Sequence, residues 1–326
     1  MSTLFRRGAL ALAIHTVAFA AADPTLLRLV MPDAKVIAGL QVQLTKNSPF
    51  GQYILAHLQI EDASFKKFIA QTGFDPRRDV TEILMASNWE QSPADNRWLV
   101  AARGSFNLPK ITAAAKENGG SITNFQGVDI LTYSADDKPD SESGIAFFDA
   151  SSAVMGDLAS VKAAVQRKQS GAPPDGALIS KVLDLSAKND FWFVTVVPIS
   201  EFAGAMPNPN LSGAMKGDLL SGIHQASGGI RFGDTVTISG EAITRSDKDA
   251  QALVDVFRFL AGLIQLNSQN NQVAGRVSTL LDGMDLKTNG NIMTMSLAIP
   301  EQQLEQLLTT MQQERRQARK KPPQTN

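Results

Sequence analysis

The stretch from Ser227 to Leu266 constrains the fold more than any other part of this 326-residue chain. Two runs that can form strands flank Gly233-Asp234, where a hairpin must reverse. The first run opens with Ser227-Gly228-Gly229, and the second alternates apolar and polar residues from Val236 to Ala242, mostly in the pattern of a half-buried strand. Ser246 can cap a helix after the second run, in a variant of the capping box that Asp249 completes. The expected helix carries a broad apolar stripe, formed by Ala250, Leu253, Val254, Phe257, Leu260, Ala261 and Ile264. The stretch predicts strand, turn, strand and capped helix, with Phe257 as a core anchor.

The same order of elements recurs earlier in the chain. A strand over Arg97–Arg103 precedes a helix that Asn107 can cap. A pair of strands, Gly144–Phe148 and Ala153–Met155, precedes a second helix that Asp157 can cap. This order predicts an α+β fold with antiparallel-rich sheets, helices packed on one face of the sheet, and two similar halves.

A proline- and glycine-rich segment, Gln169–Gly176, is the strongest linker signal in the chain. It predicts a first α+β half over residues 21–170 and a second over residues 171–312. The last residues, 313–326, form a basic tail with little apolar surface to bury, so we expect this tail to be disordered. Its positive charge allows a weak contact with an anionic surface.

The N-terminus has the three regions of an export signal in their usual order. Arg6 and Arg7 precede an apolar run over Gly8–Ala20, which ends in the small-residue site Ala18-Phe19-Ala20. We expect residues 1–20 to be a signal peptide and the protein to be periplasmic or secreted. The alternative is an ordinary N-terminal helix of the mature chain. This run is too short for a comfortable transmembrane helix, and no other apolar run could span a bilayer.

The overall composition excludes some classes of protein. The chain has no cysteine, so it forms no disulfide and no thiolate metal site. Hydrophobic residues make up 43% of the chain, which is enough for a large core, and the formal net charge is −1. This balance gives no reason to expect binding to nucleic acid.

No recognisable catalytic, cofactor-binding or metal-binding motif is present in the sequence, so we predict no such residue and no cofactor. His15 lies in the predicted signal peptide, while His57 and His224 are isolated from other metal-ligand residues. The sequence also lacks a phosphate-binding glycine loop and a nucleophile elbow.

Two charged segments have a structural interpretation that we favour over a binding one. The segment Ser134–Ser143 lacks the glycine and the terminal glutamate of an EF-hand, so we expect a solvated loop rather than a calcium site. Its acidic residues are Asp136, Asp137, Asp140 and Glu142. The segment from Asp75 to Asp79, with Arg77 and Arg78 inside it, is expected to be a turn with local ion pairs.

The tryptophans and one glycine pair are interpreted in the same way. Trp98 and Trp192 lie within strand patterns, so we expect both in the core, whereas Trp89 lies in a loop and is the better candidate for an exposed aromatic side chain. Gly228-Gly229 is expected to provide backbone freedom at the entrance to a hairpin.

Parts of the first half resemble uncharacterised exported bacterial proteins of unknown function. The resemblance depends on Ser48-Pro49-Phe50-Gly51, on Thr72-Gly73-Phe74-Asp75-Pro76 followed by Asp79-Val80, and on the strand from Trp98 to Arg103. These are turn and strand signals. The resemblance therefore implies export and an α+β fold, without an activity or site residues.

We therefore expect a non-catalytic binding or scaffolding protein of the bacterial cell envelope or periplasm. Two alternatives remain open, because carboxylates alone can perform acid–base chemistry. One is a hydrolase with a carboxylate-based site, and the other is a small-molecule binder with a cleft between the halves. A carboxylate-lined pocket favours the enzyme, an aromatic-lined cleft favours the binder, and a featureless surface favours scaffolding.

Overall fold

The computed structural model of this protein describes residues 21–57, 63–90, 92, 95–135, 138–205, 218–269 and 272–320. Within these residues, twelve strands form one antiparallel sheet. The strands are β1 (Val36–Leu40), β2 (Val80–Ser87), β3 (Trp98–Gly104), β4 (Ser121–Phe125), β5 (Val128–Ala135), β6 (Lys138–Asp149), β7 (Ser152–Asp157), β8 (Phe191–Thr195), β9 (Ile223–Arg231), β10 (Thr235–Thr244), β11 (Asp285–Asn289) and β12 (Ile292–Pro300).

Helices connect the strands and pack against the sheet. They are α1 (Pro24–Leu27), α2 (Val42–Asn47), α3 (Pro49–His57), α4 (Ala63–Thr72), α5 (Pro76–Asp79), α6 (Leu108–Glu117), α7 (Leu158–Ser170), α8 (Ile179–Lys188), α9 (Asp218–Ser221), α10 (Asp247–Asn267), α11 (Gln272–Leu281) and α12 (Glu301–Lys320). A 3-10 helix covers Ile199–Ala205. These elements confirm the predicted α+β class with an antiparallel-rich sheet. Within the described parts of the chain, no helix has the length and apolar character needed to cross a membrane.

The strand order joins the two predicted halves into one sheet. The order is β11-β12-β10-β9-β8-β1-β2-β3-β7-β6-β5-β4, so β1 and β8 pair at its centre. Three consecutive strands lead outward on each side of this centre, β1-β2-β3 on one side and β8-β9-β10 on the other. The outermost of the three then pairs with a strand that precedes a helix, β7 before α7 and β12 before α12. The internal duplication suggested by the sequence stays a prediction.

Helices cover both faces of the sheet. The face that carries Trp192 packs against α1, α7 and α8 in one large core. The opposite face, which carries Leu131, packs against α6. Following the paired residues from strand to strand shows that α10, α11 and α12 pack on this same face. The expectation that helices pack on one face of the sheet is therefore wrong. Successive side chains of a strand point to opposite faces, and in the central strands the side chains on both faces are apolar, so both faces need a cover.

The predicted helix caps are confirmed. The side-chain oxygens of Asn107, Asp157 and Ser246 accept hydrogen bonds from backbone N–H groups three residues later, at 3.2, 2.8 and 3.2 Å. These bonds satisfy donors that the first turn of a helix leaves free. The carboxylate of Asp249 does not complete a capping box in this arrangement, since it accepts from Arg245 Nε at 3.2 Å.

The predicted stripe on α10 is only partly buried. Ala250, Leu253 and Val254 are buried, but 37% of Phe257 is exposed, so Phe257 is not the core anchor that the sequence suggested. Leu260 is exposed as well. The apolar residues of α10 continue past the part of the helix that packs on β9, β10 and β12. The spacing of apolar residues predicts which side of a helix is apolar, but not how far along the helix the sheet covers that side.

Gly228 and Gly229 lie inside β9 rather than at a hairpin entrance, and neither has a positive φ. A Cβ on Gly229 would lie 2.3 Å from the side chain of Asn189, and one on Gly228 would lie 2.6 Å from the carbonyl oxygen of Ser239. The explanation from backbone freedom is therefore wrong, because close packing is what requires glycine here. The turn itself follows at Gly233-Asp234, as predicted.

Two further segments differ from expectation. The acidic segment Ser134–Ser143 was expected to be a loop, but β5 ends at Ala135 and β6 begins at Lys138, so Asp140 and Glu142 lie in a strand. Asp136 and Asp137 lie outside the described residues. Helix α12 continues to Lys320, so the first part of the predicted tail is helical, and residues 321–326 lie outside the described part, as do residues 1–20.

Candidate functional site

A cavity of about 720 Å³ lies between the Leu131 face of the sheet and the helices α4 and α6. This volume is within the range of about 300–1,000 Å³ that is typical of small-molecule sites. Its lining comes from the chain between Lys67 and Met155, so the cavity belongs to the first predicted half and does not lie between the two halves.

The floor of the cavity is formed by paired strands whose side chains on this face are apolar. Antiparallel pairing places Ala102 beside Ala153 and Val100 beside Met155, while Ile145 pairs with both Met155 and Leu131. Residues that pair across strands share a face of the sheet, so the pattern of the four strands makes one apolar surface. Small residues in this surface leave room above the sheet.

The roof is the inner side of α6. The helix begins at Leu108, after the cap Asn107, and its buried residues are Ile111 and Ala114. Ala114 and the half-buried Ala115 also line the cavity. Because two alanines face a floor that itself contains alanines, the helix and the sheet do not interdigitate completely.

One end of the cavity is lined by three aromatic rings. Phe106 stands between Phe74 and Phe147, with centroid separations of 5.5 and 5.3 Å. The pair with Phe147 meets edge to face, which is a favoured arrangement of aromatic side chains. This end of the cavity offers a ligand only apolar contacts.

The opposite end carries polar side chains. Lys67 Nζ donates to Asn118 Oδ1 at 3.3 Å, and Asn118 Nδ2 donates to Gln71 Oε1 at 3.1 Å. The exposed Tyr133 lines the cavity near this end. Among the described residues that line the cavity, Lys67 is the one with a charged side chain.

The residues singled out in the sequence do not line this cavity. Trp192 is buried on the opposite face, Trp98 is half-buried, and Trp89 is half-buried with its ring 4.4 Å from that of Phe202. His224 is exposed on β9. His57 ends α3, and its side chain is not among those described.

The segment from Asp75 to Asp79 forms the short helix α5 and its cap rather than a turn, and the predicted local ion pairs are present. Arg77 Nη2 lies 2.7 Å from Asp75 Oδ2, and Arg78 Nε lies 2.7 Å from Asp79 Oδ1. Both pairs join neighbours in sequence, and Asp75 also caps α5 through the backbone N–H of Arg77. These contacts hold α5 in place and leave no converging set of charges for a ligand.

Among the described residues, a pair of carboxylates outside the cavity is the arrangement that most resembles an acid–base site. Glu82 Oε1 accepts from the backbone N–H of Asp23 at 2.9 Å, and Asp23 Oδ2 accepts from Arg103 Nε at 2.5 Å. Burial raises the pKa of Glu82 above its ordinary value. Burial would also raise that of Asp23, but hydrogen bonds from Arg103 and Thr25 outweigh it and hold the pKa of Asp23 below its ordinary value.

These two carboxylates have a structural role. They fasten the segment that begins the described chain to strands β2 and β3, and Asp23 also caps α1 through the backbone N–H of Thr25 at 2.7 Å. Neither carboxylate lines the cavity. Within the described residues, no group of three or more histidine, aspartate or glutamate side chains is placed to hold a metal ion.

Sequence reasoning missed the cavity because its signal is spread over distant segments. The lining residues are ordinary core types, such as Ala102, Phe106 and Leu131, and each fits a strand or helix pattern by itself. The one local signal is the run of three alanines at residues 113–115, which also fits a good helix former. Comparisons with protein families, with curated proteins and with solved structures find no match to this chain.

Proposed function

We propose that this protein is a non-catalytic binding protein that takes an apolar small molecule into the cavity beneath α6. The observation that carries this proposal is the lining of the cavity, which is apolar along the sheet and aromatic around Phe106. Burial of a ligand's apolar surface there is favourable at roughly 25 cal/mol per Å². The three aromatic rings supply broad contacts at one end.

The alternatives have less support. A hydrolase with a carboxylate-based site needs carboxyl groups facing the bound substrate, and no aspartate or glutamate stands among the described residues that line the cavity. The Asp23–Glu82 pair is engaged in holding the chain together. A purely scaffolding protein gives no reason for an apolar space of this size below its surface.

Export to the periplasm or to the medium is part of this proposal. The order of charged, apolar and small residues before Ala21 supports it. The residues that follow this point are well packed, since Ala22 and Leu26 are buried in the main core. Mass spectrometry of the protein from its native host should find a chain that starts at Ala21 or close to it, and a folded chain that retains Met1 would rule export by this signal out.

Two alanines of α6 allow a matched test of the binding site. Ala115 lines the cavity and is half-buried, whereas Ala113 is exposed on the same helix and does not line it. We expect Ala115→Phe to fill the cavity and to weaken binding of the apolar fluorescent probe N-phenyl-1-naphthylamine by at least about tenfold, because the ring occupies the ligand's space. Ala113→Phe should leave the affinity within about twofold of the original, since its ring points to solvent.

Fluorescence titration of the three proteins provides the measurement, and circular dichroism checks that each is folded. Equal affinities of the original and the Ala115→Phe protein would place the probe outside the cavity. Absence of probe binding to the original protein would contradict the proposed function itself.

A further inference from the structure

We infer that the ligand is a single-chain amphiphile with a carboxylate head group, bound with its tail against Phe106 and its head at Lys67. This inference rests on the proposed function and adds the chemistry of the ligand. It follows from the contrast between the two ends of the cavity.

The direction of α6 separates these ends. The helix begins at Leu108, just after the aromatic residue Phe106, and ends at Glu117, just before Asn118. Ile111 and Asn118, which both line the cavity, are seven residues apart, or about 10 Å along a helix. A ligand that fills the space therefore meets aromatic rings at one end and polar groups at the other.

The side chains at the polar end are held in place by one another. Asn118 accepts from Lys67 and donates to Gln71, and it also donates to the carbonyl oxygen of Ala114 at 2.7 Å. This network positions α4 against α6. Lys67 carries three N–H donors, and its bond to Asn118 uses one of them. Its aliphatic stem can line the apolar space while the ammonium stays at the water boundary.

The charge at this end selects the head group. Lys67 provides a positive charge, and no described lining residue provides a negative one. A cationic head would therefore meet a like charge, and a neutral head could accept a hydrogen bond from the ammonium but would not balance its charge. A carboxylate carries a single negative charge, which one lysine can balance, whereas a phosphate monoester would keep uncompensated charge beside an apolar cavity.

The chain offers a matched control for Lys67. Lys66 is also exposed on α4, one residue earlier, but it does not line the cavity. Replacement of either lysine by glutamine removes one charge and keeps a side chain of similar length. Both variants should fold, because both side chains are exposed.

The experiment is calorimetric titration of the full mature chain with dodecanoate, dodecan-1-ol, dodecylamine and dodecyl phosphate, each below its micelle-forming concentration. We expect Lys67→Gln to weaken dodecanoate binding about three- to fivefold, as for an exposed ion pair, and to leave dodecan-1-ol within about twofold. Lys66→Gln should change neither affinity. The dodecanoate affinity of the original protein should also fall as the salt concentration rises.

Three other outcomes would contradict either this inference or the proposed function on which it rests. If Lys67→Gln leaves dodecanoate unchanged, or weakens it no more than Lys66→Gln does, the head group is not held by Lys67. If the original protein binds dodecylamine or dodecyl phosphate at least as tightly as dodecanoate, the carboxylate assignment fails while the apolar site stands. If none of the four compounds binds, the proposed function fails with it.

Discussion

Small side chains on opposite walls create the space that the proposed function needs. Ala102 and Ala153 form part of the floor, and Ala114 and Ala115 form part of the roof. Larger residues at these places would let helix and sheet interdigitate at the usual density of protein interiors. Alanine is also the strongest helix former. The alanine run on α6 therefore predicts the helix correctly, but in the sequence it gives no separate sign of the cavity.

The residues that anchor α10 can be ranked by their burial. Leu253→Ala should lower the free energy of unfolding by about 2–5 kcal/mol, because Leu253 is 1% exposed within a packed cluster. Phe257→Ala should cost less than Leu253→Ala, because Phe257 is 37% exposed. Ser246→Ala should cost about 1 kcal/mol through the loss of one cap.

Chemical denaturation of these three variants measures the ranking. A larger loss from Phe257→Ala than from Leu253→Ala would mean that α10 packs on the sheet through a different side from the one described. A loss of several kcal/mol from Ser246→Ala would show that this serine does more than cap the helix.

At the scale of elements, local signals predicted helices well. The caps at Asn107, Asp157 and Ser246 lie at the expected residues, because a capping side chain acts on the first turn that follows it. The exposed part of α10 after Val254 was not foreseen, since the end of a partner surface leaves no mark on the helix itself.

Strands and turns were less predictable. No strand was predicted over Ser121–Phe125, where the structure has β4. Gln126-Gly127 joins β4 to β5 with positive φ at both residues, which is the pattern of a type I′ turn. Between β11 and β12, Gly290 has a positive φ and Asn291 does not, which indicates a type II′ turn over residues 290–291.

At the scale of the molecule, the fold class could be predicted and the assembly could not. Alternation and capping report local structure, and they correctly indicated an antiparallel-rich α+β protein. The pairing of β1 with β8 joins residues about 155 positions apart in sequence, and nothing local reports it. Helix α6 packs on one face of the sheet and α7 on the other. The sequence of each helix does not indicate which face it will cover.

The cavity has the same origin as these long-range features. Its walls come from α4, α6 and four strands, which meet only after the sheet has formed. The chain also exposes apolar side chains elsewhere, with Phe259 and Leu266 on α10 at 64% and 76%. The described residues therefore offer an apolar compound an open surface on α10 as well as the cavity.

A crystal structure of the protein soaked with 1-bromodecane would distinguish these places most directly, because anomalous scattering locates the bromine without ambiguity. The proposed function predicts a bromine peak inside the cavity, within van der Waals distance of lining residues such as Phe106, Leu131 or Ile145, and loss of that peak in Ala115→Phe crystals. An empty cavity together with bromine peaks along Phe259 and Leu266 would contradict it.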